Sequence, residues 1–189
     1  IPSNVTIVDS GLYTHQKSIL DWIPLDFLIE SRFILSLGIK SILSRFRSYI
    51  YYSKNSTRLS KSLSSWIKKN GHSLNSLYLY SYWFDIGAIS IARFRIRNPQ
   101  VYATVRAHGW DVYMSRHDDS YLPLRTYVLK SINRLRFVSK SGFKYYLEQF
   151  DSSLVSNCSI DYLGTPDLTP LFWSKTSTLK LLSIAYLSP

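Results

Sequence analysis

Val101-Tyr102-Ala103-Thr104-Val105-Arg106-Ala107-His108-Gly109-Trp110-Asp111 is the stretch whose reading decides the fold. Its first half is rich in β-branched and aromatic residues and follows the helix-breaking pair Asn98-Pro99, as an interior strand of a parallel sheet does. The apolar run then ends abruptly in a histidine, a glycine and a carboxylate. In open α/β sheets ligands bind beyond the carboxyl ends of the strands, which is where Arg106 to Asp111 fall.

The pattern continues on both sides. Upstream, Leu77-Tyr78-Leu79-Tyr80 reads as a strand and Asp85 as the N-cap of a helix carrying Ile86, Ile89, Ile91 and Phe94 to Arg97. Downstream, a helix is expected from Pro123-Leu124 to about Ile132, a strand over Arg134-Leu135-Arg136-Phe137-Val138, and a further helix capped by Ser139 and running through Gly142 to Leu147. Ser152 to Ser159 is polar enough for a loop before Ile160-Asp161-Tyr162-Leu163, and Gly164-Thr165-Pro166-Asp167 signals a turn. Strands separated by helices imply right-handed crossovers, so the expected class is α/β, a Rossmann-like parallel sheet with helices on both faces. Nearer the start, Asn4 to Asp9 is a short strand closed by Ser10-Gly11. Two or three helices are expected over residues 14–53, with Pro24 and Gly38 as breaks, and another from Ser56-Thr57-Arg58-Leu59 to Asn70-Gly71. Leu179 to Tyr186 reads as a fresh buried strand close to Pro189.

A chain of 189 residues accommodates one domain of ordinary size. Its 15 tyrosines, 9 phenylalanines and 5 tryptophans argue for a packed core over disorder. Cys158 stands alone, which excludes an internal disulfide and fits a reducing compartment, the cytoplasm by default. The chain begins at Ile1 with no basic leader or apolar signal core, and is expected to start inside a longer protein. No uncharged apolar run approaches the roughly 20 residues that a membrane helix needs. The net charge of +11 implies attraction to something anionic: nucleic acid, phospholipid headgroups, sugar nucleotides or lipid-linked pyrophosphates. Basic residues are spread through helical segments, Lys40, Arg45, Arg47, Lys54 and Arg58 among them, and a solvated helix face accounts for most. The aromatic interleaving from Arg45 to Tyr52 is compatible with core packing, with an interfacial amphipathic helix, or with stacking on nucleotide bases.

Several residues around the opening stretch carry possible chemistry. His108, at a strand's carboxyl end, can hydrogen-bond a substrate or stabilise developing charge, or it can simply be satisfied by a neighbouring carbonyl. Gly109 would let a ligand approach the backbone. The planar fork of Arg106 suits phosphate or an acceptor, and suits equally an ion pair with Asp111 or Asp85. Asp111 is a candidate hydrogen-bonding group or base, and also a loop cap. Ser139 offers a hydroxyl and a helix N-terminus to phosphate, or a plain N-cap. No metal is assigned: one cysteine and histidines at 15, 72, 108 and 117 form no zinc pattern, and His117-Asp118-Asp119 reads as a solvated loop. Neither a Gly-x-Gly-x-x-Gly nor a P-loop occurs, and Gly109 to Asp111 lacks the serine of a nucleophile elbow.

Successive blocks from about Leu77 to Pro189 resemble, in order, the N-terminal domain of family 4 glycosyltransferases, enzymes with two Rossmann-like domains in the arrangement called GT-B. Tyr78 to Phe84 is similar to the strand introducing the companion helix, Arg106-Ala107-His108-Gly109-Trp110-Asp111 to the histidine block, and Arg136 to Gly142 to the strand-serine-helix block. Leu163-Gly164-Thr165-Pro166-Asp167, with Phe172, is similar to the interdomain crossing, from which Leu163 and Thr165 depart. Leu179 to Pro189 is similar to the first strand of the donor domain. Residues 1–76 match only in rhythm, and the glycine-rich loop that follows the family's first strand is absent.

The resemblance implies an acceptor-side domain over residues 1–178, with a helical insertion at about 14–70, and the first strand of a nucleotide-sugar domain over 179–189. It implies a retaining transfer of sugar from a nucleotide-sugar donor to a glycan or lipid-linked acceptor in cell-surface polysaccharide biosynthesis, with no cofactor and no nucleic-acid partner. His108 would face the donor sugar, Arg106, Gly109, Asp111 and Ser139 would contact substrate, and Gly164 and Asp167 would mark the crossing between domains. The family's glutamate pair lies in its C-terminal domain; only Glu30 and Glu148 occur here, so the chain alone is expected to be inactive. Residues 19–69 would supply acceptor or membrane contacts on the inner face of the cytoplasmic membrane. The alternatives are a GT-B-like sugar-nucleotide epimerase and a non-catalytic basic module that binds nucleic acid or lipid.

Overall fold

The structure is a computed structural model and describes residues 26–164. Strands β1 (Tyr78–Ser81), β2 (Tyr102–Ala107), β3 (Arg134–Phe137) and β4 (Cys158–Ile160) form one parallel sheet in sequence order. The class is therefore α/β, with a Rossmann-like parallel sheet. Leu79, Ala103, Val105, Ala107, Leu135 and Phe137 alternate along their strands, share one face of the pleat and are all buried. Helix α3 (Ile86–Arg97) packs on β1 and β2, and α6 (Lys140–Gln149) on β3 and β4. The Phe137 ring meets those of Phe143 and Tyr146 at 5.7 and 5.0 Å. A sheet that steps always in one direction through right-handed crossovers carries its crossover helices on one face. The other face presents Tyr78, Tyr80, Tyr102 and Arg134 exposed, with Tyr78 stacked on Tyr102 at 5.3 Å; no helix that would cover it is among the described elements.

Ahead of the sheet, α1 (Asp26–Ser36) turns through Gly38, at φ +89°, into α2 (Ile42–Lys69). The break expected at Gly38 is present, but α2 is one helix of 28 residues where a boundary is expected between residues 53 and 56. Ser53, Ser56 and Thr57 look like helix breakers because their side chains compete for backbone groups. Here they bond within the helix instead: Ser56 Oγ and Thr57 Oγ1 both donate to the Ser53 carbonyl, at 3.1 and 2.8 Å. Their small size lets α3 come close, and the buried Arg93 guanidinium of α3 donates to Ser56 Oγ and Ser53 Oγ, each at 3.1 Å. Asn70-Gly71 ends α2 as expected, with Gly71 at φ +66°.

The buried Glu30 of α1 ties this helical layer to the loop before α5 (Arg125–Ser131). One carboxylate oxygen accepts from Tyr121 Oη at 2.5 Å and from the Leu124 backbone at 2.9 Å. Two other boundaries move. The strand in the last third occupies Cys158–Ile160, beginning two residues inside what reads as a loop, because Leu135, Arg136 and Phe137 supply a free parallel edge there. Immediately after β2, a single turn of helix, α4 (Gly109–Val112), replaces an open loop. The strands expected at residues 4–9 and 179–186, the break at Pro24 and the crossing residue Asp167 lie outside the described residues. Among the described residues no helix is long and apolar enough to cross a membrane.

Candidate functional site

Two loops leave the carboxyl edge of the sheet side by side, Tyr82 to Asp85 after β1 and His108 to Tyr113 after β2. Asp111 clamps them together. Its buried carboxylate accepts from the Phe84 backbone at 2.7 Å and from the His108 backbone at 2.5 Å. Burial raises its pKa above the usual carboxylate value, against the opposing pull of those N–H groups and the Arg125 charge. Of the two readings open to Asp111, a loop cap is the geometry observed.

His108 is nine-tenths buried, and both ring nitrogens lack a hydrogen-bond partner. The rings of Tyr82 and Trp83 cover it at centroid distances of 4.8 and 4.3 Å, each of them about half exposed. Asp111 Oδ2 stands 3.9 Å from Nδ1. Burial lowers the imidazole below the ordinary histidine value, outweighing the upward pull of Asp111, and Arg106 adds to the depression. The ring is therefore neutral near pH 7.

The other candidates occupy separate surroundings. Arg106 pairs with neither Asp111 nor Asp85. Its partner is Asp161, at 3.2 Å, which Arg136 of the adjacent strand also meets at 2.8 Å. The physical reason is register: Arg106 lies opposite Arg136, and Asp161 follows β4 beside them, while Asp111 is already committed to two backbone groups. The Arg136 hydrogen bond is the main cause that holds the Asp161 carboxyl below its usual range. Gly109 has the Arg116 guanidinium beside it: a Cβ there would lie 2.8 Å from Nη1, the far end of a flexible side chain. Ser139 caps α6, its Oγ accepting from the Gly142 backbone at 3.1 Å. Gly164 is exposed after β4.

A cavity of about 310 Å³ opens beside the clamp, lined by Tyr52, Trp83, Asp85, Trp110, Asp111, His117, Leu122 and Arg125. Of the residues singled out in the sequence as substrate-contacting, Asp111 alone lines it; His108 and Ser139 do not share it, since Tyr82 and Trp83 roof the imidazole. Arg125 is buried, donates through Nη1 to the Phe84 carbonyl, lies 4.0 Å over the Phe84 ring and leaves Nε without a partner. Asp85 caps α3 through one oxygen, accepting from Gly87 at 2.8 Å. His117 contacts the Trp110 carbonyl at 2.8 Å and its ring at 4.8 Å. Sequence reasoning missed Trp83, Arg125 and Tyr52. Trp83 and Asp85 had a signal, since they follow a strand's carboxyl end; Arg125 and Tyr52 are brought in by tertiary packing alone. No group of three or more histidine, cysteine or acidic side chains converges among the described residues.

Comparisons of the chain with protein-family models, with curated proteins and with solved structures gave no match.

Proposed function

We propose that this chain is the acceptor-side domain of a retaining glycosyltransferase that moves sugar from a nucleotide-sugar donor to a glycan or lipid-linked acceptor. The observation that carries the reading is the cavity at the carboxyl edge of β1 and β2, walled by Tyr52, Trp83 and Trp110 and bearing Asp85 and Arg125. Flat aromatic walls suit the apolar faces of a pyranose ring, while a carboxylate and a guanidinium take its hydroxyls. His108 lies beside this wall, neutral and unpartnered under the rings of Tyr82 and Trp83, and in this reading it meets a sugar only if those rings move aside. In this reading a second domain holds the donor nucleotide across a cleft. A net charge of +11 favours work on an anionic membrane face, where lipid-linked acceptors reside.

The test is an assay of the enzyme that contains this chain against a panel of nucleotide sugars, with the product followed by NMR. The reading predicts a new glycosidic bond with the donor's anomeric configuration retained. A product that is still a nucleotide sugar, with one ring carbon inverted, identifies an epimerase instead. Salt-sensitive binding to nucleic acid with no turnover of any donor overturns both enzyme readings.

A further inference from the structure

Leu28, Arg32, Leu35 and Ile39 succeed one another at the spacing that keeps residues on one stripe of a helix, along α1 and into the turn after it. The apolar members are among the most exposed in the molecule: Leu28 is 72%, Leu35 57% and Ile39 86% exposed. The same spacing recurs at the start of α2 with Leu43, Arg47, Ile50 and Lys54, where Leu43 is 73% exposed and two of the four residues are basic. Inward-facing residues of the hairpin, Ile34, Arg45 and Tyr49, are buried, so these stripes are what remains for the surroundings.

Water disfavours so much apolar area in one place. A protein partner's apolar groove disfavours the basic residues Arg32, Lys40, Arg47 and Lys54 that lie among these apolar tips. An anionic bilayer surface meets both demands: apolar tips enter the boundary between headgroups and acyl chains, and the basic heads reach phosphate on long apolar stems. The charge balance agrees: α2 contains no acidic residue, Glu30 of α1 is buried and engaged by Tyr121 and Leu124, and of the other carboxylates at the hairpin Asp26 opens α1 and Asp119 accepts from Ser44 Oγ. We propose that the α1–turn–α2 hairpin is an interfacial anchor for anionic phospholipid, with Leu35, Ile39 and Leu43 as the inserting tips and Arg32, Lys40 and Arg47 as the phosphate-binding heads. It rests on the membrane placement proposed above, and owes nothing to the transfer chemistry.

The experiment is co-sedimentation of the 189-residue chain with vesicles of phosphatidylglycerol and, separately, of phosphatidylcholine. Binding is expected to phosphatidylglycerol at low salt, with release as salt rises. Ile39→Ser with Leu43→Ser should lower the partition coefficient about tenfold or more, and so should Arg32→Glu with Lys40→Glu. Lys68→Glu with Lys69→Glu, at the far end of the same helix, should leave it within about twofold. A polarity-sensitive dye on Ile39→Cys should shift to the blue on phosphatidylglycerol vesicles only, which checks insertion without relying on the paired variants. Four results would overturn the anchor: no sedimentation, equal binding to phosphatidylcholine, equal loss in the Lys68/Lys69 pair, or a dimer in solution that Ile39→Ser separates. A chain that ignores vesicles while its enzyme glycosylates a soluble acceptor overturns the anchor and leaves the transferase reading standing.

Discussion

Along the seam between α2 and α3, Ser53, Ser56 and Arg93 are buried and bonded to one another, whereas at the carboxyl edge of β2 the equally buried His108 has no partner on either ring nitrogen. Arg125 Nε, Arg106 Nε and the hydroxyl of Tyr146 are left without partners as well, and Arg125, Asp111 and Tyr146 feel one another's charge. Among the helices of the seam, Ser60 Oγ of α2 and Arg95 Nε of α3 also lack partners. Each unsatisfied buried polar group costs about 1–3 kcal/mol, so the difference between seam and edge bears on stability. Satisfied polar burial holds helices together. Under the proposed function, the unpartnered groups at the edge are the ones a sugar would engage.

Asp111 is where that contrast is most exposed to failure, since it sits at the unsatisfied edge and yet is fully engaged. Asp111→Ala should cost about 2–4 kcal/mol, because it strands two buried N–H groups and the Arg125 charge. Urea unfolding measures it, and a loss under about 1 kcal/mol would mean that the two loops are held by something else. At the seam, Arg93→Met should cost about 1–3 kcal/mol. Adding Ser53→Ala and Ser56→Ala to it should recover most of that loss, since an apolar replacement of the whole polar set leaves nothing unpaired. A triple variant no more stable than the single one would show that the serines act through helix geometry and not through the arginine.

The smallest effect is expected at His108, and it is the most informative about the edge. His108→Phe should change stability at pH 7 by under about 1 kcal/mol, since it removes no hydrogen bond. The pH dependence should change more. A histidine whose folded pKa lies below its ordinary value of about 6.5 adds stability above that value and loses it as pH falls through the lowered one. The wild type should therefore lose stability on acidification below about pH 6.5 by a step that His108→Phe lacks. Thermal melts of both proteins from neutral to mildly acidic pH measure the difference; parallel curves would mean an imidazole that is charged or solvated in the folded chain.

The parallel sheet was legible because the run from Val101 to Asp111 has the composition of a buried strand and ends in polar residues, and because Asp85 and Ser139 cap the helices they precede. The length of α2 was not, since nothing local reveals that Ser53 and Ser56 face an arginine 37 or more positions away. Nor was β4, a strand of three residues that pairs with β3 alone. At the site, the sequence pointed to the loop after β2, from which Trp110 and Asp111 line the cavity; His108, singled out with them, lies outside it under Tyr82 and Trp83. It missed the aromatic roof and Arg125, because which side chains close over a loop is decided by packing between elements. Arg106 was assigned acidic partners by nearness in the chain or at the loops, and the sheet register gave it Asp161.

The central claim is that His108 acts on a sugar at this edge, and the rate of sugar transfer by the enzyme containing this chain, wild type against His108→Ala, tests it most directly. The account predicts a fall of roughly 10² to 10⁴ in turnover, typical of a positioned hydrogen-bonding or acid–base group, with the melting temperature nearly unchanged. Undiminished transfer by the alanine variant would contradict it.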